Sequence, residues 1–179
     1  MTTLSVATIT TTLGGMDADT ADGGPGDDWV FGDPGNDVIH GGIGNDVRVI
    51  GGTGSDTAFG DDGDDWVTGD TGNDILYGGN GNDRLNGFEE YDKLYGDSGH
   101  DFLMGGQLDD ELFGGNGDDT IFGEAGNDKL IGGSGIDTLS GQSGLDTLDA
   151  KDGISMNDFL DGGSTADTCL GDPDSAFEC

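Results

Sequence analysis

Positive charge is what this chain has least of. Five Lys and Arg stand against 38 Asp and Glu, for a formal net charge of -33 over 179 residues. A polyanion of this kind is repelled by nucleic acid and by anionic membrane surfaces, so neither is expected as a partner. No apolar run approaches the length that spans a bilayer, which argues against membrane insertion. Met1 to Leu13 is Thr-rich and lacks both the basic start and the apolar stretch of a secretory signal. Leu, Ile, Val and Phe make up about a fifth of the residues, near the composition of disordered chains.

Catalytic and cofactor signatures are equally thin. Only two histidines are present, His40 and His100, and both fall in repeated sequence where loop or strand roles are expected. Gly96-Asp97-Ser98-Gly99 looks like the nucleophile segment of trypsin-like proteases, yet those residues occupy ordinary slots of a repeat. Zinc clusters and phosphate loops are missing, and no helix-forming stretches flank a loop of EF-hand length. An enzyme is not expected. The two cysteines, Cys169 and Cys179, lie close together at one end, which favours a disulfide over two separate thiols.

What the chain has in abundance is glycine, 39 residues of it, and the glycine is in register. Between Gly14 and Leu170 the sequence divides into seventeen segments, mostly of nine residues, each opening on Gly and carrying Asp at the sixth position. The aspartates are Asp19, Asp28, Asp37, Asp46, Asp56, Asp65, Asp74, Asp83, Asp92, Asp101, Asp110, Asp119, Asp128, Asp137, Asp146, Asp158 and Asp167. Position eight is apolar in phase with them, as in Val30, Ile39, Val67, Leu76, Leu94, Ile121 and Leu160, and ends on Cys169. A disordered Gly/Asp tract would not hold that phase, so a stacked solenoid is expected.

In a well-kept repeat such as 114–122, positions one to six read as a turn and positions seven to nine as a short strand. Glycines at positions one, two and four are expected to supply left-handed or strained dihedrals that turn carbonyls toward a common point. Alternation sends position eight inward and positions seven and nine outward. Three strand residues cannot enclose a core, so two repeats must form one coil, with strands on opposite faces and coils stacked at roughly 4.8 Å into a flat rod of about 40 Å.

Loops on one edge are then two repeats apart, which brings together pairs such as Asp28 with Asp46, Asp37 with Asp56, Asp56 with Asp74, and Asp119 with Asp137. Carboxylate and carbonyl oxygen without imidazole or thiolate selects Ca²⁺ over zinc or copper, and a flexible cage of many oxygens suits Ca²⁺ better than Mg²⁺. About a dozen ions would offset roughly 24 of the negative charges. With a site Kd of ~0.1 mM and ~1 mM free ion, linkage supplies ~1.4 kcal/mol per site. Ten to thirteen bound ions are expected.

These residues resemble the RTX, or haemolysin-type, calcium-binding nonapeptide repeat family over residues 14–170. The resemblance implies a right-handed parallel β-roll, all-β, two repeats per coil with Ca²⁺ between stacked loops, that orders on meeting extracellular Ca²⁺ in secreted or cell-surface bacterial proteins. RTX chains exported by the type I route typically lack cysteine, so Cys169 and Cys179 depart from that pattern. The tail from Asp161-Gly162-Gly163 to Cys179 is similar to the end of secreted haemolysin-type proteins that close with a cysteine pair. Residues 1–13 and 171–179 are then caps on a roll of 14–170, with Leu4, Val6 and Ile9 covering one end.

The pattern breaks in a few places. Glu90 and Leu108 replace the glycine of position four on one edge, where a side chain resists positive φ, so the site between Asp92 and Asp110 is expected to be weak or absent. One extra residue at Val47-Arg48-Val49-Ile50 calls for a bulge that turns Val49 inward. Three more, Ala150-Lys151-Asp152, precede Gly153. At eighteen-residue spacing Phe59, Tyr77, Tyr95 and Phe113, continued by Ile131, form an outward ladder, with Trp29, Trp66 and Phe102 a thinner series on the other face. The ladder leaves a second reading beside the structural, secretion-associated calcium module: a surface adhesion, ligand-binding or dimerising protein that uses the aromatic face. A repeat portion of a larger secreted toxin or protease is a third.

Overall fold

A sixth-position Asp, an eighth-position apolar residue and glycines between them generate the same local path in every repeat. The computed structural model describes residues 11–150, 158–171 and 176–179, and within them all regular structure is strand. The strands alternate between two parallel sheets, ten in one and nine in the other, each strand pairing with the one two places on in the chain. The result is a parallel β-solenoid of about eight turns, consistent with a right-handed β-roll. The proposed cap residues Leu4, Val6 and Ile9 and the inserted Lys151 and Asp152 lie outside the described residues.

The core is a single file of side chains from each sheet. Position eight supplies it throughout, from Ala21 and Val30 to Leu148 and Leu160, all buried, with Cys169 packed against the end. Strict pairing in phase keeps the file continuous: Leu94 sits beside Leu76 and Leu112, and Leu103 beside Leu85 and Ile121.

The strands are longer than the three residues expected. A typical one, Thr120–Ala125, runs from position seven through position three of the next repeat. The reason is that alternation continues past position nine: the position-one glycine points inward and is buried in most coils, as at Gly78, Gly96 and Gly123. Only positions four to six are left as the turn.

The glycine roles also separate differently from the sequence reading. Positive φ is confined to positions two and four, for example 110° at Gly79 and 137° at Gly81. Among the described residues no position-one glycine has it. Position one needs glycine for space: a Cβ on Gly96 would lie 2.5 Å from both Asp101 Oδ2 and the carbonyl oxygen of Gly114.

The extra residue in the fourth repeat is absorbed as a bulge. Both Val47 N–H and Arg48 N–H point at the Asp28 carbonyl, at 3.0 and 3.5 Å, so two residues oppose one. Val49 is buried in line with Val30 and Val67, and Arg48 turns outward over the rings of Trp66 and Trp29, at 4.9 and 5.9 Å. At the far end a disulfide joins Cys169, in the edge strand Thr168–Leu170 of one sheet, to Cys179, just past the edge strand Ala176–Glu178 of the other.

Candidate metal centre

The turn at positions four to six carries the sixth-position aspartates along the two edges of the roll. One edge holds Asp19, Asp37, Asp56, Asp74, Asp92, Asp110, Asp128, Asp146 and Asp167; the other holds Asp28, Asp46, Asp65, Asp83, Asp101, Asp119, Asp137 and Asp158. All the aspartates expected from sequence therefore fall into two columns, including the neighbours Asp28 and Asp46, Asp37 and Asp56, Asp56 and Asp74, and Asp119 and Asp137. Away from the terminal coils they are at most 3% exposed.

Within a column the bonding is the same at every step. The Oδ1 of each Asp accepts the backbone N–H of the Asp one coil earlier, at 2.6 to 2.9 Å. The backbone carbonyl of each Asp accepts the position-seven N–H of the next coil, as Asp83 does from Phe102 at 2.9 Å. The second oxygen is left over. Oδ2 of Asp37, Asp46, Asp56, Asp65, Asp74, Asp83, Asp92, Asp101, Asp110, Asp119, Asp128, Asp146 and Asp167 is buried with no hydrogen-bond partner.

Two columns of buried carboxylates in like-charged neighbourhoods are electrostatically expensive, and burial raises their pKa values. Burial pushes Asp83 up from 3.8 to about 6, against the lowering effect of the hydrogen bond from Asp65, and Asp64 and Asp97 raise it further. Asp46 and Asp119 also rise to about 6, Asp74, Asp92, Asp128 and Asp137 to about 7, and Asp65, Asp101 and Asp110 to about 8, with burial the largest cause in each. Such a column demands either protons or a counter-charge.

The donors fit a hard divalent cation. The free oxygens are carboxylate oxygens packed over the position-one glycines of their own repeats, Asp65 Oδ2 over Gly60 and Asp101 Oδ2 over Gly96, with the carbonyls of Gly78 and Gly114 beside them. Oxygen donors of these two kinds, without sulfur or imidazole, are those of Ca²⁺ sites. Among the described residues no three His, Cys, Asp or Glu side chains converge on a point. Backbone carbonyls must therefore complete any coordination shell, which accounts for a motif that fixes backbone conformation with glycine.

The two degenerate loops keep the frame. Glu90 and Leu108 adopt left-handed backbone at φ 78° and 72°, where the position-four glycines reach 126° to 159°. Asp92 still receives the Asp74 N–H and Asp110 the Asp92 N–H, both at 2.8 Å. The side chains at position four are thus tolerated, at a typical ~1–3 kcal/mol for a non-glycine residue in that region.

A second ladder was not anticipated from sequence. Position-five side chains accept the position-five N–H of the following coil: Asp64 from Asn82 at 2.8 Å, Asn82 from His100 at 2.9 Å, His100 Nδ1 from Asp118 at 2.8 Å, and Asp118 from Ile136 at 2.9 Å. It runs opposite in sense to the position-six column, so each turn is tied to the coils on both sides. The signal was present as Asn or Asp before most of the invariant aspartates.

Comparison with known families agrees with this geometry. A model of the RTX calcium-binding nonapeptide repeat, in four copies, matches residues 13–47, 50–85, 77–112, 95–130, 104–139 and 125–156. The chain belongs to the RTX calcium-binding repeat family. No curated protein matches it. The gap at 48–49 in the family match coincides with the bulge at Arg48, and the last matched segment ends at residue 156, although both aspartate columns continue to Asp158 and Asp167. Calcium binding is the general property of RTX repeats.

Proposed function

We propose that the chain is an extracellular calcium-binding module that folds when Ca²⁺ enters its two aspartate columns, and that it serves as a structural or secretion-associated segment of a bacterial secreted or cell-surface protein. The observation that carries the reading is the buried, unpartnered Oδ2 repeated along both edges. The ligands are the sixth-position aspartates, each sharing an ion with the next coil and with loop carbonyls. Nine carboxylates in one column and eight in the other leave fifteen gaps. Ten to thirteen ions is the expected stoichiometry, the gap between Asp92 and Asp110 and those at the ends being the weakest. Residues 14–170 form the roll, and the flanking segments 1–13 and 171–179 act as caps.

Such a chain stays uncoiled where free Ca²⁺ is scarce and orders where it is abundant, because only the folded state presents the sites. The experiment is a calorimetric Ca²⁺ titration of chelated protein followed in parallel by circular dichroism, with Mg²⁺ as control. A cooperative gain of β signal with Ca²⁺ alone, at ten to thirteen ions per chain, is expected. Ordering by Mg²⁺ to the same extent, or stoichiometry of one or two, would overturn the proposal.

The alternative use of the aromatic ladder for a homodimer or surface ligand has a specific observation against it. His40, Phe59, Tyr77, Tyr95 and Phe113 stack with centroids 4.5 to 4.9 Å apart and planes within 10°, so neighbours cover one another's faces. The stack is self-contained along the rod, which supports a stabilising role. Replacing Tyr77 and Tyr95 with serine and weighing the protein by sedimentation separates the two: unchanged assembly supports the stabilising role.

A further inference from the structure

Three Asn-Gly pairs occur in the chain, Asn80-Gly81, Asn86-Gly87 and Asn116-Gly117. A glycine after asparagine lets the side-chain amide close on the backbone more readily than any other residue does, because it has no Cβ to obstruct the approach and the widest backbone freedom. Asn86-Gly87 lies inside the strand Arg84–Glu89. The other two pairs stand at positions three and four, where the strands Ile75–Asn80 and Glu111–Asn116 give way to the turns of Asp83 and Asp119.

Those two peptide groups tie neighbouring coils together. Gly81 N–H donates to the Ser98 carbonyl of the next coil at 2.9 Å, and the Asn80 carbonyl accepts Gly63 N–H of the preceding coil at 2.8 Å. Gly117 N–H donates to the Ser134 carbonyl at 2.7 Å, and the Asn116 carbonyl accepts Gly99 N–H at 2.8 Å. The side chains are held as well: Asn80 Nδ2 donates to Asp62 Oδ1 at 2.7 Å, and Asn116 Oδ1 accepts the Ser134 hydroxyl at 3.1 Å. Both asparagines are exposed, so water reaches them. What the coil withholds is a glycine nitrogen free of its inter-coil bond and a side chain free to turn onto it.

We propose that Asn80-Gly81 and Asn116-Gly117 are self-modification sites controlled by coiling, closed in the stacked roll and open in the uncoiled chain. The glycine nitrogen attacks the side-chain carbonyl carbon of the asparagine and an N–C bond forms. The nitrogen's proton leaves with the side-chain amide as ammonia, which gives a five-membered cyclic imide. Water opens the ring at either of its two carbonyls, yielding aspartate or isoaspartate; water is the only co-reactant and nothing is oxidised. Aspartate fits the coil, since Asp62 already stands beside Asn80 in the same row. Isoaspartate does not. Its backbone runs through the former side chain, one carbon longer, and the former main-chain carbonyl becomes a free carboxylate. Both inter-coil bonds of that peptide group are then lost, and the turn that carries Asp83 or Asp119 cannot close. A chain left uncoiled is thereby marked covalently. That Ca²⁺ decides which state the chain is in rests on the function proposed above, whereas the protection depends on the coil alone.

The test is peptide mapping by mass spectrometry, with enzymatic methylation to count isoaspartate. The full chain is incubated at pH 8 in saturating Ca²⁺, in chelator, and in concentrated urea with chelator, and circular dichroism reports coiling in each. Deamidation at Asn80 and Asn116 is expected to be at least about tenfold slower in Ca²⁺ than in urea, because reaction in the roll has to wait for local opening. Chains aged in urea and returned to Ca²⁺ are then separated by size. Isoaspartate at residues 80 and 116 should be concentrated in the fraction that stays expanded, while the Asn80→Asp/Asn116→Asp chain regains the compact form. Equal rates in coiled and uncoiled chain, no reaction in urea, or isoaspartate spread evenly between compact and expanded fractions would overturn the proposal. A chelated chain that keeps both its β signal and its asparagines would instead contradict the calcium dependence of folding and leave protection by the coil standing.

Discussion

Asp83→Asn separates the two jobs of a sixth-position aspartate. The amide keeps an oxygen for the Asp65 N–H, now 2.8 Å from Oδ1, and removes the buried charge on Oδ2. Raising a carboxyl from 3.8 to about 6 costs the folded chain on the order of 3 kcal/mol at pH 8, where both states are ionised. The amide N–H buried in its place costs on the order of 1–2 kcal/mol. Without metal, the variant is therefore stabilised by about 1–2 kcal/mol. With Ca²⁺ the sign reverses, because Asp83 borders the gaps toward Asp65 and Asp101, and two ions at ~1.4 kcal/mol each are weakened. Folding free energies follow from osmolyte-induced refolding in chelator and from urea unfolding in saturating Ca²⁺. Loss of stability in both conditions would refute the reasoning, since it would make Oδ2 an ordinary packing atom.

The remaining expectations cover pH, core, stack and cap. Folded carboxyls raised to about 6 to 8 keep protons that the unfolded chain has lost, so metal-free stability is fullest below the ordinary carboxyl range and falls as pH rises toward 8. Dichroism in chelator should show β signal growing from pH 8 to pH 4, and no gain would contradict the burial of these groups. Leu94→Ala, at a fully buried position, should lower urea-derived stability in Ca²⁺ by ~2–5 kcal/mol. Tyr77→Ser, in the middle of the stack, should lose ~0.5–1.5 kcal/mol beyond its burial, read by thermal melting in Ca²⁺. Reducing the disulfide, which closes a span of ten residues, should lower stability by ~2–3 kcal/mol and lower the melting temperature in Ca²⁺.

The coil and its columns were legible because one period carries them. A nine-residue repeat with Asp at six and an apolar residue at eight fixes which side chains line the core, and Leu76, Leu94 and Leu112 stand where that phase puts them. The bulge at Arg48 was legible too, as a count of one residue too many, although its rest between Trp66 and Trp29 depends on a cross-strand neighbour two repeats away. Strand length was underestimated because the glycines at positions one and two read as turn, whereas pairing with the coils on either side extends the ladder through position three. The roles of glycine were merged for a related reason: composition does not distinguish the freedom needed at Gly79 from the space needed at Gly96. His40 at the head of the stack and the position-five ladder were passed over because both become visible only once the coils are superposed.

Small-angle scattering before and after chelation at pH 8 tests the central claim most directly. If divalent cations hold the aspartate columns together, stripped protein expands from a compact radius of gyration near 16 Å toward about 45 Å, and added Ca²⁺ restores it. A stripped chain that keeps its compact dimensions and its melting temperature would contradict the account.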